Sequence, residues 1–415
     1  MAGARALWLC AASWLVAAGC APLVGLDQDY YVRGGAGGSG ASGGSASGNG
    51  VSGGVSGSGG GASGAGGVGA GGGGAPVAGS AGNSAGGAAA GAPTGGLPEM
   101  LPAGKLAYHR FVDYSDGDSE TFVVDLPSGQ RSLELGQLFG LCGVLSPSFS
   151  PDGTKLAVAA RPMNGPCPVG DPKQSELEIY VLDLTNLAVP NKVRVTENTV
   201  PDEDPSFAPS GDFLLAKREG DVTKLSLDPA VLPHTTCAAL APGSFCFASD
   251  NEQRKPVMSS TGLVFYQQGN EGDADIYSFD LAAAETLGTF VPQTVAARMS
   301  VYEARPSVFG DWVYFARWVE KNNPADRVVR KSIAALGEVE ATAFINYDNV
   351  SDYTDPAGMS DDLVIFATDE GGGLHDLFVA NFTDGTKRNL DSWMPEPVNS
   401  DEDDLSPTFW AAPPQ

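Results

Sequence analysis

The sequence is poor in histidine and in basic residues. Three His occur among 415 residues, and 24 Lys and Arg stand against 50 Asp and Glu, which gives a formal net charge of −26. So few imidazoles disfavour a metal site built on His. So few cations argue against nucleic-acid binding, which needs clustered Lys and Arg to neutralise phosphates, and against peripheral binding to anionic lipid. A partner selected by charge is expected to be a cation or a basic protein surface.

Long hydrophobic runs are also lacking. The longest, Ala6 to Ala18, follows Arg5 and is shorter than the roughly 20 apolar residues that a membrane-spanning helix needs. It has the length of a secretory signal h-region, so residues 1–19 are predicted to be a signal peptide. One interpretation of the cysteine that follows this run, Cys20, is that it lies by chance near an ordinary signal-peptide cleavage site.

The sequence Val16-Ala17-Ala18-Gly19-Cys20 resembles a bacterial lipobox. The resemblance implies that Cys20 is lipidated and anchors the chain. This lipid anchor is then the only contact of the protein with the membrane. Ala21 follows Cys20 where an inner-membrane signal would have Asp, so the resemblance implies an outer-membrane lipoprotein of the cell envelope, facing the periplasm or the outside.

Charge and aromatic side chains are absent from residues 34–96, which are almost entirely Gly, Ala and Ser. Such a composition cannot bury enough apolar surface to offset the entropy of ordering, so disorder is expected. The predicted organisation is therefore an anchor and linker over residues 20–103 and a folded domain over residues 104–412.

Four cysteines remain in the predicted folded domain: Cys142, Cys167, Cys237 and Cys246. An even number in an exported chain indicates disulfides, and their spacing matches no zinc motif. Proximity in the sequence favours Cys142–Cys167 and Cys237–Cys246 among the three possible connectivities.

A repeat of about 50 residues fills the predicted domain. Its clearest copies are Ser146 to Gly153 (Ser-Pro-Ser-Phe-Ser-Pro-Asp-Gly) and Asp204 to Gly211 (Asp-Pro-Ser-Phe-Ala-Pro-Ser-Gly). Each copy contains a turn and an apolar run, and an alternating segment such as Glu178 to Leu184 follows. The leading prolines are Pro147, Pro205, Pro256, Pro306, Pro356 and Pro407. Four-stranded units of this length predict the blades of an all-β propeller.

The two incomplete copies at the ends of the domain determine the blade count. The chain enters at a second strand near Leu106 and finishes with a first strand over Leu405 to Trp410. One half-blade at each end makes one whole blade, so we predict a six-bladed ring closed by N- and C-terminal strands, which leaves no exposed edge. The motif resembles the WD40-like PD40 repeat of TolB-like propellers. That resemblance implies a periplasmic or surface propeller that binds proteins or peptides around its channel.

The acidic residues before the first strands are the candidate binding residues. They are predicted to gather on one face of the propeller, at the mouth of the channel, and comprise Asp202, Asp204, Glu303, Asp352, Asp401 and Asp404. A basic peptide or Ca²⁺, which prefers oxygen ligands, would suit such a face. The alternative is that these carboxylates belong to the repeat and bond neighbouring blades. No other cofactor is expected, and the identity of any metal is left open.

The predicted function is a monomeric, non-enzymatic binding or scaffolding propeller that presents an acidic face to a protein or peptide. No Gly-x-Ser-x-Gly nucleophile motif occurs, and the three histidines fall in three different blades, so no catalytic residue is assigned. One alternative is a lyase or glycan hydrolase that uses carboxylates and a metal, which would bring carboxylates and an Arg together in a closed pocket. Another is a glycan-binding module, which would expose a row of aromatic side chains.

Overall fold

The structure, a computed structural model, describes residues 96–413 apart from 114–117, 164–166, 168–176, 241, 250, 270–273, 296–301, 321–322, 338–341, 344–350 and 371–372. The predicted signal peptide, Cys20 and most of the Gly-rich segment lie outside the described residues. Within the described part of the chain, no helix is both long and apolar enough to span a membrane.

The strands form six four-stranded antiparallel sheets, which are the blades of a propeller. Blade 1 contains β24 (Asp403–Ala411), β1 (Gly104–Asp113), β2 (Asp118–Leu126) and β3 (Gln130–Arg131). Blade 2 contains β4 (Leu141–Phe149), β5 (Lys155–Pro162), β6 (Glu178–Asp183) and β7 (Asn191–Arg194). Blade 3 contains β8 (Asp202–Phe207), β9 (Phe213–Arg218), β10 (Asp221–Ser226) and β11 (Phe245–Phe247).

The other three blades repeat this order. Blade 4 contains β12 (Gln253–Met258), β13 (Leu263–Gln268), β14 (Asp275–Asp280) and β15 (Gln293–Thr294). Blade 5 contains β16 (Tyr302–Phe309), β17 (Trp312–Glu320), β18 (Asn323–Ser332) and β19 (Thr342–Ala343). Blade 6 contains β20 (Tyr353–Gly358), β21 (Leu363–Thr368), β22 (Asp376–Asn381) and β23 (Lys387–Asn389). The prediction of a six-bladed propeller is confirmed.

Ring closure occurs as the two incomplete repeats predicted. The last strand, β24, pairs antiparallel with β1, and Leu106 lies opposite Phe409 while Arg110 lies opposite Asp404. The first strand of blade 1 is therefore supplied by the end of the domain and the other three by its beginning.

The core lies between blades, which explains the unbroken apolar runs of the second strands. On β5, Leu156 and Val158 pack with blade 1, whereas Ala157 and Ala159 pack with Phe207 of blade 3. Because side chains alternate across a strand, both faces of β5 are buried by different neighbours. A strand covered on both faces has no polar side to alternate with.

Every first strand contains a β-bulge at the same place. The pairing with the second strand shifts there in all six blades, so that two residues oppose one. The first residue of each bulge has a positive φ between 47° and 56° and precedes a proline: Ser146, Asp204, Lys255, Arg305, Asp355 and Ser406. Proline has no N–H to donate to the ladder of hydrogen bonds between strands. A residue inside the bulge does not need to donate one, so proline is tolerated there. These six residues are called the bulge ring below.

Short helices and two disulfides complete the blades. The α-helices are α1 (Leu135–Phe139) and α2 (Leu281–Leu287), and 3₁₀ turns span Cys237–Ala239, Ile333–Ala335 and Leu390–Trp393. Cys142 is bonded to Cys167 and Cys237 to Cys246, which is the pairing that sequence proximity favoured.

The folded part begins earlier than the predicted boundary at residue 104. The Nε1 of Trp393 donates a 3.0 Å hydrogen bond to the carbonyl of Pro98, and Asn381 donates one of 3.0 Å to the carbonyl of Gly96. Leu101 is buried among residues of blades 1 and 6. Residues 96–103, which the sequence assigned to the linker, are therefore part of the propeller; no repeat motif marks them.

Candidate functional site

The bulge ring crosses the central channel of the propeller. Its members follow one another around the ring as Ser146, Asp204, Lys255, Arg305, Asp355 and Ser406, one from each of blades 2 to 6 and then blade 1. Lys255 and Arg305 are thus neighbours in the ring, and each has an aspartate as its other neighbour. Non-glycine residues with positive φ are uncommon, and each stores strain on the order of 1–3 kcal/mol. Strain repeated in all six blades marks the ring as the feature that shapes the channel.

Asp204 holds one half of the bulge ring together. Its Oδ1 accepts a hydrogen bond of 3.1 Å from the hydroxyl of Ser146 and lies 2.9 Å from the Nζ of Lys255. Its Oδ2 accepts a 3.2 Å bond from the backbone N–H of Lys255. One carboxylate therefore connects three consecutive blades.

Asp355 does the same for the other half. Its Oδ1 pairs with the guanidinium of Arg305, and its Oδ2 accepts bonds of 3.0 Å and 3.3 Å from the backbone N–H and the hydroxyl of Ser406. Arg305 and Asp355 are both buried. The charges of the bulge ring balance, and its carboxylates serve the contacts between blades.

A cavity of about 330 Å³, called the cup below, opens on one side of the bulge ring. The bulge ring forms its floor, and the second halves of the first strands form its wall. The cup opens on the face where first strands turn into second strands, which is called the hairpin face. Its volume is at the low end of the range of ligand pockets, enough for the tip of a chain or a large side chain.

The wall of the cup is rich in hydroxyl groups. The residue after the bulge proline lines the cup in five blades, and these residues are Ser148, Ser206, Val257, Ser307 and Thr408. The Oγ of Ser148 accepts a 3.1 Å bond from the N–H of Phe207, and the Oγ of Ser307 donates one of 2.5 Å to the carbonyl of Pro356. Hydroxyls both donate and accept, so this wall suits a ligand with main-chain amides.

The mouth of the cup is apolar. Met258, Val308 and Trp410 are half-buried there, beside the exposed Pro151 and Pro209. The Nε1 of Trp410 donates a 2.9 Å bond to the carbonyl of Pro151, which fixes the indole in place. Trp410 therefore packs against the core of blade 2 and also borders the cavity.

Three of the predicted binding carboxylates lie inside the protein instead. Asp202, Glu303 and Asp404 occupy the same blade position, directly opposite Arg218, Arg317 and Arg110 on the second strands. The ion-pair distances are 3.1 Å for Asp202 Oδ1 to Arg218 Nε, 2.7 Å for Glu303 to Arg317 and 2.9 Å for Asp404 to Arg110. As exposed binding residues these three were predicted wrongly, because the register that pairs each with an Arg cannot be read from the sequence.

Burial sets the acidity of these carboxyls. Loss of solvation raises the pKa of Asp202 to about 7 and that of Asp404 to about 6, although each faces an Arg, which lowers the pKa. Burial also raises the pKa of Glu303, and Arg317 opposes that shift. A carboxyl that is removed from water favours its neutral form, and the ion pair offsets only part of that cost.

The other three candidates are dispersed. Asp204 is in the floor of the cup; Asp401 is exposed on the face opposite the hairpin face, and Asp352 is half-exposed before β20. The structure therefore does not bring the six carboxylates together. Among the described residues, no group of three or more His, Cys, Asp and Glu side chains is arranged to hold a metal ion.

One histidine has a strongly acidic environment on that opposite face. The Nδ1 and the backbone N–H of His375 each lie 2.8 Å from Oδ1 of Asp403. Burial lowers the pKa of His375, but the hydrogen bond and charge of Asp403, with Asp369 and Asp352 nearby, outweigh it and raise the pKa. Because Asp403 begins β24, this contact holds the start of the closing strand.

Comparisons with known proteins identify the fold of the chain but not its family or its activity. No family model matches the chain, and no curated protein matches it. TolB from Acinetobacter baumannii is 14% identical with a TM-score of 0.49, and the match covers 74% of this chain and 66% of TolB. Hydrazine synthase from Kuenenia stuttgartiensis is 12% identical with a TM-score of 0.54, over 75% of this chain and 47% of that chain.

A third similar structure is the β-propeller domain of the Trilobed protease from Pyrococcus furiosus, 14% identical with a TM-score of 0.43, covering 72% of this chain and 99% of that domain. This chain spans about two thirds of TolB and about half of the hydrazine synthase chain. The fold is a six-bladed β-propeller, as its repeat indicated. Identities this low carry no activity across to this chain.

Proposed function

We propose that the protein is a binding module whose partner is another protein, engaged through the cup. The observation that carries the proposal is the cavity itself: a hydroxyl-lined wall and an apolar mouth, above a floor that the bulge ring closes. Main-chain amides of an extended segment match the hydroxyls, and an apolar side chain matches Trp410 and Met258. A rigid toroid with one concave end is well suited to receive a chain segment from outside.

An enzymatic function finds less support. The floor does bring Asp204 and Asp355 together with Lys255 and Arg305, the residue types that a carboxylate-dependent enzyme would use. However, both carboxylates are committed to cations, backbone N–H groups and hydroxyls of adjacent blades, and the cup is open. Glycan binding is not favoured either, because the most exposed large apolar side chains of the described residues are Met, Leu and Val rather than aromatics.

We further propose that the propeller works in the cell envelope, as a monomer anchored by a lipid on Cys20. The run before Cys20 and the disulfides of the propeller support export to an oxidising compartment. Incorporation of a radiolabelled fatty acid tests the anchor: label is expected on the full chain and should vanish in Cys20→Ser. Label that persists in Cys20→Ser would contradict the proposal.

A cavity-filling variant tests the binding site. Ser206→Phe places a ring in the wall of the cup, whereas Ala283→Phe adds the same ring at an exposed position on α2. A partner that the wild-type protein captures should be lost with Ser206→Phe and retained with Ala283→Phe, provided that both variants unfold at the same temperature as the wild type. A partner held equally by both variants would show that the cup is not its site.

A further inference from the structure

In every blade, exposed or half-exposed aspartates lie on the hairpin face, the face on which the cup opens. They occur where the first strand turns into the second and where the third strand ends. The set comprises Asp125 in blade 1, Asp152 and Asp183 in blade 2, Asp212 and Asp228 in blade 3, Asp280 in blade 4, Asp311 in blade 5, and Asp361, Asp362 and Asp384 in blade 6. Asp183 and Asp362 are half-exposed and the others are exposed.

The strand register places both groups on the hairpin face. Lys155 begins β5 directly opposite Asp183, which ends β6, and Leu263 begins β13 opposite Asp280, which ends β14. In an antiparallel sheet the ends of first and third strands point the same way. Acidic residues therefore also lie at the end of the channel opposite to the one predicted, and they are different residues from those predicted.

Basic residues lie among these aspartates and offset part of their charge, and Arg131 and Lys192 at the starts of fourth strands are two of them. Lys105 lies opposite Asp125, Lys155 lies opposite Asp183, and Arg330 Nη2 lies 3.8 Å from Asp362. Several of the aspartates also stabilise turns: Asp152, Asp183 and Asp384 each accept bonds from the N–H and the hydroxyl of a Thr two residues later. A turn explains why Asp is at those positions, and the carboxylate charge is still carried at the surface.

The charge bordering the cup differs from the chemistry inside it. Inside are hydroxyls and a charge-balanced floor, and at the mouth are Trp410, Met258 and Val308. Outside are the ten aspartates of the hairpin face with fewer basic residues among them. A negative rim raises the local concentration of cationic ligands and repels anionic ones, at separations within roughly 8–10 Å at moderate salt. When an extended segment buries one side chain in the cup, the residues on either side of it lie within that distance of the aspartates.

Building on the proposed function, we infer that the ligand of the cup is a cationic extended polypeptide segment. Its bulky apolar side chain enters the cup beside Trp410, and Lys or Arg residues on either side of it face the hairpin-face aspartates. The apolar anchor supplies the residence time, and the basic flanks supply orientation and a fast association rate.

Three peptides of equal length separate these contributions. One carries two Leu between pairs of Lys, the second replaces every Lys by Glu, and the third keeps Lys and replaces Leu by Ser. Fluorescence anisotropy with the full chain should give the tightest binding for the first peptide, weaker binding for the other two by at least about tenfold, and a loss of affinity as salt rises.

Matched charge variants identify the face. Asp212→Asn, Asp311→Asn and Asp361→Asn together should weaken the Lys–Leu peptide about tenfold, whereas Glu197→Gln, Glu219→Gln and Asp401→Asn, the same charge change on the opposite face, should leave it unchanged. Equal affinity for the Lys and Glu peptides, or equal effects of the two triple variants, would overturn the inference and leave the proposed function standing. Binding that Ser206→Phe does not weaken would instead overturn the proposed function.

Discussion

The indole of Trp410 lies directly against the backbone of Gly153 in the neighbouring blade. A Cβ added to Gly153 would come within 2.4 Å of the indole ring, and the φ of Gly153 is 67°. Trp410 belongs to β24, the strand that closes the ring, and Gly153 belongs to the Pro-Asp-Gly turn of blade 2. The glycine is therefore required twice, for the turn and for the close approach of the closing strand.

Substitution of Gly153 should cost more stability than the same change in the next repeat. Gly211 occupies the equivalent turn with a φ of 77°, but its nearest neighbour would be 3.5 Å from an added Cβ. Gly211→Ala should cost only the positive-φ penalty, about 1–2 kcal/mol, and Gly153→Ala that penalty plus displacement of Trp410. Denaturant unfolding measures both variants. Equal losses would show that the contact with Trp410 does not matter.

The buried ion pair of blade 3 should be sensitive to loss of its cation. Arg218 and Asp202 are both fully buried, so Arg218→Met leaves a carboxyl in the interior without its cation. The expected cost is about 3–5 kcal/mol of unfolding free energy. Glu197→Gln, in an exposed pair with Arg194, is the control and should change stability by less than about 1 kcal/mol. A similarly small effect of Arg218→Met would show that the buried ion pair with Asp202 does not stabilise the protein.

Stability should fall as the pH rises from about 5 to 8. The native pKa values of Asp202 and Asp404, about 7 and about 6, lie above those of an unfolded chain, so the native state binds more protons in this window. The raised pKa of His375 acts in the same direction, whereas burial lowers the pKa of His234, and that one group acts in the opposite direction. The free energy of unfolding therefore decreases with pH. Urea titrations at several pH values should show this slope, with a smaller slope in Asp202→Asn; an upward slope in the wild type would contradict it.

The two disulfides should contribute unequally. Cys142 and Cys167 are 25 residues apart, and Cys237 and Cys246 are 9 apart. Loop entropy predicts losses of about 3–4 kcal/mol and about 2–3 kcal/mol when each pair is replaced by serines. Thermal unfolding of the two double variants checks the order. A larger loss for the shorter loop would mean that packing around the cysteines dominates.

The fold could be predicted because its information is local and repeated. A proline, a turn and an apolar run recur in each blade, and the unmatched strands at Leu106 and Leu405 require closure. Both faces of strands such as β5 are buried, which the unbroken apolar run of Leu156 to Ala160 already indicates.

The site could not be predicted in the same way, because it depends on contacts between blades. The positive φ of Asp204 before Pro205 has no local signal, since nothing in the dipeptide favours that conformation. Acidic side chains are usually exposed, so Asp202 and Asp404 were assigned to the surface; their Arg partners are defined only by strand register. Asp311 and Asp361 lie in the turns between first and second strands, and only the propeller geometry brings them to the same face as the cup.

Photocrosslinking in intact cells can decide whether a partner occupies the cup. A benzophenone amino acid is placed at Thr408, on the wall of the cup, or at Asp401, on the opposite face. We expect a crosslinked protein from position 408 and none from position 401. A product from position 401 alone would show that the partner binds the other end of the channel, and the function assigned to the cup would be wrong.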